Sequence, residues 1–206
     1  VTERSLPGIV VNGDDRGGRR PPSSVLEFPL TVTHARPDTV IRDAIEDDLP
    51  AILELHNINI ATSTALWDVE EADPADRLAW FRDRRAAGMP VLIAEVDGEF
   101  AGYAHYGQFR PKAGYRYSVE NSVYIAERFH RRGLASALLG ALIERARGSG
   151  RVHTMIAAIE SGNAASIALH ERFGFVEVGR MPEVGRKFGR WLDLTLLQLT
   201  LPVAGD

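Results

Sequence analysis

The 206 residues are 45% hydrophobic and 25% charged, with a net charge of −4. That is enough apolar content for one ordinary globular domain, and no clustered cationic run offers a footprint for nucleic acid. The chain has no cysteine, which excludes disulfides, thiolate metal sites and a covalent cysteine nucleophile. No stretch of about 18 apolar residues occurs and no basic-then-apolar leader opens the sequence, so the expectation is a soluble, unexported cytoplasmic protein with no membrane partner.

In chain order, residues 1–38 are crowded with breakers (Gly8, Gly13, Gly17, Gly18, Pro7, Pro21, Pro22, Pro29, Pro37) and show no sustained period. Their acidic residues Glu3, Asp14, Asp15, Glu27 and Asp38 offset Arg4, Arg16, Arg19, Arg20 and Arg36. This composition predicts a disordered extension, not a second domain or a nucleic-acid arm. The folded domain is expected over 39–206.

Val40-Ile41-Arg42 reads as a short strand. Asp47 then serves as the expected N-cap of a helix burying Leu49, Ile52, Leu53, Leu55 and Ile58, with Pro50 in its first turn. Asp73-Pro74 opens a second helix through Leu78, Trp80 and Phe81 to Gly88, whose Arg82, Arg84 and Arg85 are expected on a solvated face. Val91–Val96 and Phe100–Tyr106 flank Asp97-Gly98, a strong two-residue hairpin signal. A loop over 107–114 follows.

From Ser118 the pattern alternates, with Val119, Asn121, Val123 and Ile125 on one set of positions and Glu120, Ser122 and Tyr124 on the other. A polar turn carrying Arg128, His130, Arg131 and Arg132 comes next. After Gly133 the period becomes helical through Leu134, Ala137, Leu138, Ala141, Leu142 and Arg145 to Gly148-Ser149-Gly150. A strand, a basic glycine turn and a helix start make a place for a phosphate. Val152–Ile159 reads as a buried central strand, Asn163 as the cap of a helix to Arg172, and Gly174-Phe175 and Trp191–Leu201 as the closing strands.

These motifs together resemble the GCN5-related N-acetyltransferase (GNAT) family, in its phosphinothricin and methionine sulfone or sulfoximine N-acetyltransferase branch. The resemblance rests on Val119–Ile125, Gly133-Leu134-Ala135, Ala157–Ser166, Leu169-His170, Phe173-Gly174-Phe175 and Gly185–Asp193, and it covers roughly residues 39–201. It implies an α/β (α+β) fold, with a mixed, mostly antiparallel sheet of about seven strands flanked by about four helices. It also implies transfer of an acetyl group from acetyl-CoA to the α-amine of a small amino-acid analogue, without an acyl-enzyme.

The resemblance carries roles to particular residues. The turn Arg131, Arg132, Gly133, Leu134, Ala135 and Ser136 corresponds to the pyrophosphate cradle, although His130 stands where the family has Gln or Arg. Val123, Tyr124 and Ile125 correspond to the backbone that pairs with the pantetheine arm, an edge-strand mode of binding. Glu120 takes the place of the general base for the acceptor ammonium. Asn163 corresponds to a contact on the cofactor arm, and His170 to the group beside the sulfur, as acid or hydrogen-bond donor.

An amino-acid carboxylate suits a guanidinium, so Arg110 and Arg116, with Tyr115, are the candidate acceptor-binding residues. Trp67 and Phe109 are candidate apolar walls. With no His-Glu-x-x-His and no close histidine pair, no metal site is expected. Family relatives are commonly dimers, so a homodimer is possible. The other readings are acetylation of another small amine or a protein amine, and a non-catalytic acyl-CoA-binding domain that would not need Glu120 or His170.

Overall fold

The computed structural model describes residues 39–202; the extension expected over 1–38 lies outside the described residues. The elements are β1 (Thr39–Asp43), α1 (Leu49–Thr62), α2 (Pro74–Ala86), β2 (Val91–Val96), β3 (Glu99–Gln108), β4 (Ser118–Ile125), α3 (Leu134–Ser149), β5 (Thr154–Glu160), α4 (Ala164–Arg172), β6 (Val176–Lys187) and β7 (Arg190–Thr200). The seven strands form one sheet in the order β1-β2-β3-β4-β5-β7-β6. Every pairing is antiparallel except β4 with β5. The mixed seven-stranded sheet with four helices is the expected fold class. Among the described residues no helix is long and apolar enough to cross a membrane.

The hairpin between β2 and β3 turns at Asp97 (φ 53°) and Gly98 (φ 78°), the left-handed pair that a tight two-residue connection requires. Asp73 caps α2 by accepting from the Asp76 N–H at 2.8 Å. The start of α1 differs from expectation. Its N-cap is Asp48, not Asp47, after a 3₁₀ turn at Glu46–Asp48. The Asp48 carboxylate is committed elsewhere, gripping the Arg42 guanidinium at 2.8 and 2.9 Å and the Ile45 N–H at 2.8 Å.

The buried side of α1 also differs. Leu49, Ile52, Leu55 and Ile60 are buried, Leu53 is only partly covered and Ile58 is half exposed. At about 100° per residue Ile58 falls on the side opposite Leu49, whereas Ile60 returns to it.

Two cores result. Between the sheet and the pair α3 and α4 lie Leu138, Leu139, Leu142, Met155, Leu169 and Leu197; between the sheet and the pair α1 and α2 lie Ile52, Leu55, Phe81, Ile93, Tyr103 and Tyr124. Alternation along β4 divides its side chains between them: Val119 and Val123 face the first, and Tyr124 the second.

Arg84 is not on a solvated face. It is half-buried, with its guanidinium 4.8 Å from the Trp80 ring and its Nε donating to His105 Nδ1 at 3.4 Å. Four residues after Trp80, it lies on the sheet side of α2. Gly107 makes the space, since a β-carbon there would come within 2.9 Å of the guanidinium. Arg82 and Arg85 are exposed as expected, Arg82 pairing with Glu46 at 2.9 Å.

Candidate active site

The β4–β5 ladder has only three pairs, from Ser118–Thr154 to Glu120–Ile156. Beyond Glu120 the strands part, while β5 stays paired with β7 from Thr154 through Glu160. The parting opens a cleft of about 780 Å³, walled by Asn121–Ile125 of β4, Ala157–Glu160 of β5, the turn before α3, α4, and Asn59, Ser63 and Ala65 at the end of α1. The β4 backbone from Asn121 on thus has no strand neighbour on that side. An extended chain with amide groups can add there as a strand would.

At the far end of the cleft is the turn into α3. Arg131 (φ 59°) and Gly133 (φ 83°) are left-handed, and Gly133 is the N-cap of α3. No side chain caps this helix start, so the first N–H groups of α3 point outward with the positive end of the helix dipole behind them. A β-carbon at Gly133 would meet nothing within 4 Å, so the approach is open. This fits an anionic group such as a pyrophosphate.

The sequence-predicted turn residues do not all share this place. Arg131, Gly133, Leu134, Ala135 and Ser136 line the cleft. Leu134 does so with its backbone, because its side chain is buried in the core. Arg132 is outside the wall, its guanidinium 5.2 Å from the Phe129 ring. His130, the departure from the family pattern, acts locally, its Nε2 donating to the Ile125 carbonyl at 3.0 Å and pinning the turn to the end of β4.

Glu120 shares its sheet face with Tyr124, toward α1 and α2, opposite Gly107 of β3. It is half-buried. Burial raises its carboxyl above the ordinary range, and the Arg110 cation opposes that shift. Arg110 therefore acts on Glu120 through its field, and its loop is fixed where Gln108 Nε2 donates to the Arg110 carbonyl at 2.8 Å. Tyr115 stands edge-on to Phe109 at 5.8 Å, and Arg116 lies 4.3 Å over the Tyr117 ring. None of Glu120, Arg110, Tyr115 and Arg116 lines the cleft wall itself, which begins on β4 at Asn121, the residue after Glu120.

Val123, Tyr124 and Ile125 line the cleft together with Asn163 and His170. Asn163 also caps α4, its Oδ1 accepting from the Ser166 N–H at 3.1 Å. His170 is buried, with Nδ1 2.8 Å from the Ser166 carbonyl, Nε2 2.9 Å from Asn121 Nδ2, and the Phe175 ring edge-on at 5.0 Å. Burial lowers its proton affinity, against a smaller opposing effect of the Ser166 carbonyl.

Sequence reasoning missed the roof of the cleft. Lys187 Nζ, buried on β6, donates to the carbonyls of Ser63 (2.8 Å) and Leu66. Trp67 packs against β6 at Gly185, where any β-carbon would collide with its ring. Thr64 Oγ1 reaches Glu160 Oε2 at 3.3 Å. The α1–α2 loop, carrying Ser63 and Ala65, is thereby held over the cleft. The signals in the sequence were Trp67, named as a candidate apolar wall, and Lys187 and Gly185 in a motif read for resemblance alone.

The chain matches the family model of the acetyltransferase (GNAT) family over residues 52–175. It is 54% identical over 162 residues to the L-methionine sulfoximine/L-methionine sulfone acetyltransferase of Pseudomonas aeruginosa, covering 78% of this chain and 94% of that one. It is 40% identical over 173 residues to the phosphinothricin N-acetyltransferase of Alcaligenes faecalis, covering 84% and 87%. Among solved structures, yncA from Salmonella typhimurium, determined with its cofactor acetyl-CoA, superposes with a TM-score of 0.79 at 44% identity over 82% of this chain and 97% of that one. With its sheet parted between β4 and β5 and its glycine turn at the mouth of the gap, the chain belongs to the acetyltransferase (GNAT) family.

Proposed function

We propose that this protein transfers the acetyl group of acetyl-CoA to the α-amine of a small amino-acid analogue of the methionine sulfone or sulfoximine type. The observation that carries this reading is the parted β4–β5 cleft, with an uncapped helix start at one end and a half-buried carboxylate, Glu120, beside its other end. The 54% identity to a methionine sulfoximine/methionine sulfone acetyltransferase supports the choice of acceptor.

When bound, acetyl-CoA supplies the activated acetyl group. The N–H groups of Leu134, Ala135 and Ser136, with Arg131, hold its phosphates, and the β4 backbone from Val123 to Ile125 aligns the amide arm; Asn163 adds a polar contact at the start of α4. A backbone N–H of this edge also stabilises negative charge on the thioester oxygen. Glu120 takes the proton from the acceptor's ammonium, directly or through water, and its raised proton affinity suits that role. Arg110 partly offsets the rise that burial imposes on Glu120, and its cation suits the acceptor carboxylate.

The test is thiol release from acetyl-CoA with methionine sulfone, methionine sulfoximine and phosphinothricin in parallel. Release with the methionine analogues is expected, and no release with any amine would overturn the reading. A cytoplasmic homodimer completes the proposal. Exposed Val176, Val178, Phe188 and Trp191 on the β6–β7 ribbon support the dimer, and sedimentation at two concentrations tests it.

A further inference from the structure

We infer that His170 is a positioning residue rather than a proton donor, and that Asn121 is the group whose carboxamide it holds in the cleft wall. This inference rests on the acetyltransferase reading of the cleft.

The Ser166 carbonyl, 2.8 Å from Nδ1, has no proton, so Nδ1 must carry the hydrogen. In the neutral ring Nε2 is then a bare acceptor, and Asn121 Nδ2 fills it at 2.9 Å. Both ring nitrogens are committed, and Nε2 has nothing to give. The ring cannot easily turn, because Phe175 stands edge-on at 5.0 Å and His170 is only 4% exposed. Burial lowers its proton affinity and the Ser166 carbonyl opposes that in part.

Asn121 is the first β4 residue past the last pair with β5, and it lines the cleft although only 6% exposed. Its Oδ1 is buried and has no hydrogen-bond partner. A free carboxamide could rotate to exchange oxygen and nitrogen, but here rotation would set Oδ1 against the Nε2 lone pair. The imidazole therefore selects one orientation of a cleft-lining amide. The proton balance of transfer follows. The ammonium first gives one proton to Glu120 and thence to water, freeing the lone pair; as the N–C bond then forms and the C–S bond breaks, the nitrogen releases its second proton to water and the thiolate takes one from water.

The tautomer is read directly by nitrogen NMR on the full-length protein with ¹⁵N-labelled histidine. A neutral His170 protonated at Nδ1, unchanged between about pH 6 and 9, is expected from its buried, hydrogen-bonded ring. An Nε2-protonated or doubly protonated ring in that range would overturn the inference. This measurement needs no turnover, so it stands apart from the thiol-release assay.

Two variants add independent readouts. Asn121→Asp offers Nε2 only acceptors, so the His170 signals should become doubly protonated at neutral pH; unchanged signals would contradict the pairing. His170→Gln keeps an acceptor for Asn121 but is no acid, so it should keep kcat within about tenfold while His170→Phe loses roughly a hundredfold. Equal loss in both, with melting temperatures unchanged, would restore the proton-donor role.

Discussion

Glu120 and His170 stand on opposite faces of the sheet. Glu120 points to the α1 and α2 side, whereas His170 on α4 bonds the very next β4 residue, Asn121, from the α3 and α4 side. Two side chains so placed meet a common ligand only where the sheet is open, and β4 and β5 part immediately after Glu120. On the proposed mechanism, the amine and the thioester are served from opposite sides of one gap.

The cradle at the α3 start predicts a separation of strain from binding. Gly133 has φ 83° and free space where a β-carbon would go. Gly133→Val should cost about 1–2 kcal/mol of stability for a side chain in the left-handed region. It should also raise the KM for acetyl-CoA about tenfold by crowding the phosphate approach. Calorimetry and steady-state kinetics check both, and an unchanged KM would count against the cradle.

Lys187 predicts a defect confined to the acceptor. Lys187→Met keeps the apolar stem but leaves the Ser63 and Leu66 carbonyls without their donor. A loss of about 1–3 kcal/mol of stability is expected, with a higher KM for the amino acid and a KM for acetyl-CoA within about twofold. Equal rises in both KM values would show that the roof does not act on the acceptor alone.

Arg110 and Arg116 should separate in a pH profile. The Arg110 cation lowers the proton affinity of Glu120, so Arg110→Gln should move the acid limb of kcat/KM to higher pH and raise the acceptor KM. Arg116, stacked on Tyr117, should do neither when changed to Gln. Matching profiles for the two variants would remove Arg110 from the site.

Much of this was legible because it is local. Alternation set the faces of β4, the Asp97-Gly98 pair fixed a hairpin, and the Asp73 and Asn163 caps marked helix starts. What escaped depends on register between distant segments. Arg84 looked solvated because nothing nearby in sequence announces that Gly107 leaves it a berth. Asp48 displaced Asp47 because Arg42 is its partner across the β1 turn. Asn121 read as one polar residue in a strand, and only the packing of α4 shows that His170 reaches it. The loop residues Arg110, Tyr115 and Arg116 engage neighbouring rings, contacts that no local pattern in the sequence announces.

Glu120 also links stability to activity. Its folded proton affinity is raised, so the stability attached to this group is present below the unfolded carboxyl pKa and lost as pH rises through the folded one. At neutral pH the buried charge is a cost, and Glu120→Gln should melt at the same temperature as the parent or slightly above it.

The most direct test of the account is the pH dependence of kcat/KM for methionine sulfone in the parent and in Glu120→Gln. The parent should fall tenfold per pH unit on an acid limb set by the raised Glu120 carboxyl. The variant should be at least about a hundredfold slower, without that limb, and with its KM for acetyl-CoA within about twofold. A Glu120→Gln protein with the parent's rate and the parent's acid limb would contradict the account.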